Sequence, residues 1–169
     1  MGSLKELIIR SRLKKSESAG RNFLPWDKTK TIALILDSKT ASSKNLIDKF
    51  IYETDKLVDV YYIDLDVKES PIKNFITFTK KEKSFFGLPN SKASAKILKK
   101  KYDLLVNASF AQLDYSSVLS NAIKATCKCG YQNKVNELDL VVRRGERKEG
   151  QDLMKYLEEL VNYLKMIRN

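Results

Sequence analysis

The chain has 169 residues, of which 43% are apolar and 31% are charged, and 32 basic against 21 acidic residues give a formal net charge of +11. This length and apolar content predict one folded domain with an ordinary core and exclude a chain that is disordered throughout. Histidine is absent, which excludes a Ser-His-Asp triad, a Cys-His dyad and a His-ligated metal within this chain.

The N-terminal segment, residues 1–30, is predicted to be an appendage. Apolar residues at helical spacing among basic ones predict a short amphipathic helix over residues 3–15. Its apolar face lacks Trp and Phe, so we expect it to dock on protein, a second copy of the chain included, rather than on an anionic membrane. Residues 16–30 predict a linker whose Pro25–Trp26 end rests on the body, and residues 31–169 predict a single α/β domain.

The next segment has the pattern of a β-α-β unit. Thr31–Asp37 is a nearly continuous apolar run, typical of a strand covered on both faces in a parallel sheet. A loop of Ser and Thr residues follows, and Val58–Asp64 predicts a second strand. Between them, a period of 3.6 predicts a helix with one apolar face: Leu46, Ile47, Phe50, Ile51 and Leu57.

The remainder continues this alternation. A short strand is predicted at Phe75–Thr79, a helix over residues 91–98 and a strong strand at Tyr102–Asn107. The helix that follows is predicted to turn Val118, Leu119, Ala122 and Ile123 inward. Short strands at Ala125–Cys129 and Leu138–Val142 precede a last helix with one apolar face: Leu153, Tyr156, Leu157, Leu160, Val161, Leu164 and Ile167.

Strands that alternate with helices predict the fold class. We expect an α/β protein, a Rossmann-like three-layer sandwich with a mostly parallel sheet of five or six strands and an N-terminal helical appendage. No run of apolar residues approaches the length of a membrane span, and no signal-peptide core is present at the start. These features predict a cytoplasmic protein.

Several segments carry a resemblance to known families. Lys101–Phe110, Ser120–Ala125, Gly130 and Tyr163–Ile167 resemble a family of small uncharacterised proteins from Bacteroidetes, over most of the chain. That family has no known activity, so the resemblance implies the fold rather than a function.

A second likeness is architectural. The strand Asp103–Asn107, with a helix and then a strand ending at Gly130, is similar in outline to the first Rossmann-like half of heptosyltransferase-type glycosyltransferases. The half that would carry most of the nucleotide-sugar site has no counterpart in this sequence, so the likeness implies architecture and not transferase activity by this chain alone.

Polar residues follow two of the predicted strands. In open parallel sheets, ligands bind beyond the carboxyl ends of the strands, and the helices that begin there offer free N–H groups to phosphate or carboxylate. Alternatively, these residues only cap loops. The loop 38–43 contains no glycine, and neither GxGxxG nor GxxxxGK[ST] occurs. The candidate ligand-binding residues are Asp37, Ser38, Lys39, Asn107, Ser109 and Phe110.

Positive charge is concentrated in two segments. Residues 1–30 carry a net +5 and residues 80–101 a net +7, and such clustering can attract nucleic acid or other polyanions. Phe85 and Phe86 would stack a base there, or else cover the edge of the core. The alternative is an ordinary solvated surface. The candidate basic patch consists of Lys80, Lys81, Lys83, Lys92, Lys96 and Lys99.

Two further pairs of residues are of the types that bind metals or carry redox chemistry. Cys127 and Cys129 are the two cysteines and face the same side of a strand, where they pack as a buried pair, bind a soft metal or form a redox couple. Asp64 and Asp66 are two apart at a strand end and suit a divalent cation or an acid–base pair, but we expect them to be solvated loop acids. We expect no bound metal and no cofactor.

These observations leave three hypotheses. The first, which the sequence favours, is a non-catalytic binding or accessory module. The second is a protein that binds an anionic small molecule, a nucleotide or a sugar phosphate, or acts as a transferase at the strand ends. The third is a nucleic-acid binder that uses Lys80–Lys101. A homodimer is compatible with each of them.

Overall fold

The computed structural model describes residues 23–39, 44–66, 75–79, 99–109, 113–131, 138–142 and 153–167. Its strands are β1 (Thr31–Asp37), β2 (Leu57–Asp64), β3 (Ile76–Thr79), β4 (Lys101–Asn107), β5 (Lys124–Tyr131) and β6 (Leu140–Val142). Its helices are α1 (Lys44–Thr54), α2 (Leu113–Ala122) and α3 (Leu153–Met166), with a 3-10 turn at Trp26–Lys28. None of these helices has the length and apolar content that a membrane span requires.

The strands form one sheet in the order β3-β2-β1-β4-β5-β6, and every neighbouring pair is parallel. This is the strand order of Rossmann dinucleotide-binding folds. The predicted α/β class and parallel sheet are confirmed, with six strands in the sheet. All carboxyl ends lie along one side, which we name the carboxyl edge, and all amino ends along the opposite side, the amino edge.

The core consists of two apolar layers, one on each face of the sheet. Side chains of a strand alternate between faces, so Ile32, Leu34 and Leu36 pack with α1 and α3. Ala33 and Ile35 face the other way and pack with α2. A strand covered on both faces gains nothing from polar positions, which explains the continuous apolar run of β1.

One helix differs from its predicted extent. α1 ends at Thr54, and the next residue, Asp55, has a positive φ of 51° that stops the helix. Leu57 therefore does not belong to the apolar face of the helix. It begins β2, where its N–H donates to the Lys30 carbonyl, and it is 73% exposed. The helices predicted over residues 3–15 and 91–98 lie outside the described residues.

The segment before β1 packs on the body of the domain. Leu24 and Trp26 contact the apolar layer that holds α3. The Thr29 hydroxyl donates to the Pro25 carbonyl at 3.2 Å, and the Lys56 ammonium lies 5.4 Å from the centre of the Trp26 ring. The Pro25–Trp26 end thus rests on the body, and the division of the chain at residue 30 stays a prediction.

Candidate functional site

The two central strands, β1 and β4, are followed by helices that lie on opposite faces of the sheet. β1 is followed by α1, which packs on one face, and β4 is followed by α2, which packs on the other. The crevice between such strands, at their carboxyl ends, is the place where open α/β sheets bind ligands. Asp37 is the last residue of β1 and Asn107 the last of β4, so both lie at this point.

A buried carboxylate lies at the end of β1. Asp37 is 0% exposed and Ser109 is 2% exposed. The Ser109 hydroxyl donates to Asp37 Oδ2 at 2.6 Å, and the Lys39 backbone N–H donates to Asp37 Oδ1 at 2.9 Å. Both carboxylate oxygens are therefore engaged, and the short bond from the hydroxyl has the length of a charge-assisted hydrogen bond.

Asn107 joins the end of β4 to α2. Its Oδ1 accepts the Ser109 N–H at 3.2 Å, and its Nδ2 donates to the Ser116 carbonyl at 3.4 Å. Gly130 of β5 lies against it, because a Cβ at Gly130 would come within 2.9 Å of the Asn107 carbonyl oxygen. This close approach is the reason that a glycine is needed there.

The neighbouring end of β2 adds a second buried carboxylate. Asp64 is buried, and its Oδ1 accepts the Asp66 N–H at 3.3 Å. Burial, and then the negative charges of Asp64 and Asp37, raise the pKa of Tyr62. The edge is therefore acidic around these strand ends. Among the described residues, no group of three or more acidic or thiol side chains is arranged to hold a metal ion.

The predicted ligand-binding residues divide into three groups. The structure brings Asp37, Asn107 and Ser109 together, although Asp37 and Ser109 are 72 positions apart. Ser38 and Lys39 follow directly and become progressively more exposed, and the Ser38 N–H donates to the Ile63 carbonyl at 3.1 Å. Phe110 lies outside the described residues.

Three serines on α2 are a feature that the sequence analysis missed. Ser116, Ser117 and Ser120 are all buried, and the Ser120 hydroxyl has no hydrogen-bond partner among the described residues. The sequence did not indicate that these serines are buried, because serine lies mostly at exposed positions.

The predicted basic patch is described at one position only. Lys99 is exposed and precedes β4, so it lies at the amino edge, opposite to Asp37 and Ser109. Lys80, Lys81, Lys83, Lys92 and Lys96 lie outside the described residues.

The two thiols face the apolar layer that holds α3, as a period of two predicts. Their sulfur atoms are 3.7 Å apart, and both residues are buried and free. The hydrogen bond from Cys129 lowers the pKa of Cys127. Burial opposes this shift, and a hydrogen bond from the Leu24 backbone N–H supports it. The bond between the thiols, together with burial, raises the pKa of Cys129.

Comparison with known proteins gave one match. The model of a family described as "Family of unknown function (DUF6913)" matches residues 3–167, nearly the whole chain. No curated protein and no solved structure gave a significant match. The predicted membership in a family without known activity is thus confirmed, whereas the Bacteroidetes origin and the heptosyltransferase likeness stay predictions.

Proposed function

We propose that this chain, which belongs to the DUF6913 family of unknown function, is a non-catalytic module that binds a small ligand at the carboxyl edge between β1 and β4. One observation carries the proposal: three buried polar side chains, Asp37, Asn107 and Ser109, lie together at the carboxyl ends of β1 and β4. The helices that follow these two strands pack on opposite faces of the sheet, which is where such sheets bind ligands. Polar groups are costly to bury, so a polar cluster at this position suits a binding function.

The chemistry of the edge favours a hydroxylated ligand. Carboxylates accept hydrogen bonds from sugar hydroxyls, and an acidic residue at a strand end commonly holds a ribose in Rossmann folds. A phosphate on the same ligand would avoid Asp37 and Asp64 and would be drawn toward the exposed Lys39. A nucleotide or a sugar phosphate combines both groups and is the ligand class that we propose.

An accessory role and a cytoplasmic location belong to the same proposal. The chain has no histidine to act as a general base near neutral pH. The Ser109 hydroxyl donates to a buried carboxylate, which orients it inward. The two thiols are free, which is the ordinary state of cysteine in a reducing compartment.

The test is a binding screen. Native mass spectrometry of the purified protein and isothermal titration with nucleotides, sugar phosphates and their unphosphorylated forms will show whether one class binds. We expect Asp37→Asn, which keeps the shape of the side chain, to weaken binding about tenfold to 100-fold, the value of a hydrogen bond to a charged group.

The matched control is Asp27→Asn, at an exposed acid before β1 on the amino edge, which should bind as the unchanged protein does. Two results would overturn the proposal. One is the absence of binding across the whole panel. The other is an Asp37→Asn protein that is folded and binds with unchanged affinity.

A further inference from the structure

We infer that the amino edge of the sheet is a second binding surface, on which Lys30, Lys101 and Lys124 contact the phosphate backbone of a nucleic acid. We name these three side chains the lysine row. This surface is independent of the ligand proposed above, because it lies at the opposite edge of the sheet.

The row follows from the strand order. Lys30 directly precedes β1, Lys101 begins β4 and Lys124 begins β5, and these three strands are successive neighbours. Lys101 and Lys124 are partners in the parallel register. Strands lie about 4.8 Å apart, so the row crosses the edge over about 10 Å. All three residues are exposed.

The acids near the row offset its charge only in part. Asp103 Oδ2 accepts the backbone N–H groups of Lys30 and Thr31, each at 2.9 Å, and the charge of Lys30 interacts favourably with this carboxylate. Lys101 and Lys124 have no such acid in the described residues. Lys100 is not part of the row, since its ammonium pairs with Asp59 at 2.5 Å. Within the described residues, no carboxylate lies within ion-pair distance of the row.

The lysines of the row repel one another, and a bound polyanion would relieve this repulsion. Like charges side by side on neighbouring strands are destabilising, and Lys101 and Lys124 are in this arrangement. The sequence adds to the effect: the two segments with the excess positive charge, residues 1–30 with +5 and residues 80–101 with +7, enter the sheet at adjacent strands, β1 and β4.

A nucleic acid suits this edge better than a lipid surface does. Binding to a membrane needs large apolar side chains beside the basic ones, so that they enter the acyl region. One exposed apolar residue, Leu57, does lie beside the row, since its N–H donates to the Lys30 carbonyl, but the three row positions are all lysines. A linear row of point charges matches a phosphate backbone, which binds with a strong dependence on salt.

The test is fluorescence anisotropy with a labelled oligothymidylate of about 20 nucleotides and a duplex of the same length, at about 50 mM and about 200 mM NaCl. The variant combines Lys30→Ala, Lys101→Ala and Lys124→Ala. The matched control removes the same charge from the exposed surfaces of α1 and α3 by Lys49→Ala, Lys155→Ala and Lys165→Ala.

We expect the row variant to bind at least about tenfold more weakly at the lower salt and to reduce the slope of log affinity against log salt by about 2 for the single strand, while the control stays within about threefold. Equal losses of affinity in both variants would show an effect of net charge alone and would overturn the proposal. Absence of binding at about 50 mM NaCl would overturn it too. So would binding only to phosphatidylserine vesicles and to neither oligonucleotide.

Discussion

The Ser109 hydroxyl holds a buried carboxylate at the end of the central strand. Without this donor, Asp37 keeps the N–H of Lys39 but loses the 2.6 Å bond from the Ser109 hydroxyl. We expect Ser109→Ala to lower the free energy of unfolding by about 1–3 kcal/mol, the cost of removing one partner of a buried polar group. Urea denaturation at neutral pH will measure it.

The matched control is Ser38→Ala, one position beyond β1 and only half-buried, where we expect a change within about 0.5 kcal/mol. If Ser109→Ala also stays within that range, the bond to Asp37 does not stabilise the fold. The ligand titrations of the proposed function would then be the sole measure of what the Ser109 side chain does.

Side-chain hydrogen bonds join the two central strands, β1 and β4, at their amino ends. Asp103 Oδ2 accepts three hydrogen bonds, two from the backbone N–H groups of Lys30 and Thr31 and one from the Thr31 hydroxyl. The Thr31 hydroxyl in turn accepts the Asp103 N–H at 3.0 Å. Burial alone would raise the pKa of Asp103, but these hydrogen bonds and the positive charge of Lys30 lower it.

We expect Asp103→Ala to destabilise the protein by about 1–2 kcal/mol, because one exposed and one partly buried backbone donor exchange the carboxylate for water. The depressed pKa means that the unfolded state takes up the proton first. The stabilisation is therefore present above about pH 4 and lost as the pH falls through the folded pKa. Urea denaturation from about pH 6 to pH 2 will test this. An Asp103→Ala protein whose acid sensitivity equals that of Asp27→Ala would contradict it.

The sequence predicted the elements better than their arrangement. The bounds of β1 follow from its continuous apolar run, and the predicted Thr31–Asp37 is the strand observed. The prediction that Leu57 belongs to the helix is wrong. Leu57 continues the helical spacing of apolar residues, but the positive φ of Asp55 ends the helix before it. Asp37 and Ser109 follow from the rule that ligands of open parallel sheets bind beyond the carboxyl ends of the strands.

What the pattern could not show is which strands are neighbours. The bond from Ser109 to Asp37, the three bonds to Asp103 and the alignment of Lys101 with Lys124 all depend on β4 lying between β1 and β5. Hydrophobic periodicity reports whether a segment is buried, but it carries no information about its partners.

The fold also has an alkaline limit, set by two tyrosines between the sheet and α2. Tyr102 donates its one hydroxyl hydrogen to Asp59 at 2.6 Å, so Tyr61 donates to Tyr102 at 2.7 Å. Burial raises the pKa of Tyr61 to about 12, with a smaller contribution from the charge of Asp59 and against the bond to Tyr102. Burial and the bond to Asp59 raise the pKa of Tyr102 as well.

A raised pKa means that the unfolded chain loses its tyrosine protons first. Stability is therefore complete below about pH 10 and is lost as the pH rises toward about 12. We expect Tyr61→Phe to flatten this decline in the free energy of unfolding. The control is Tyr52→Phe, at an exposed tyrosine of α1. Equal slopes in the two variants would show that Tyr61 does not set the alkaline limit.

The strand order has a consequence for the growing chain. β1 can pair with β2 as soon as residue 64 has been made, but its other side waits for β4, which ends at residue 107. During that interval the most apolar strand of the protein has one unpaired side, which is a template for pairing with another chain. Non-local parallel pairing is slow to form. We therefore expect the yield of native sheet to depend on the rate of synthesis and on chaperone access.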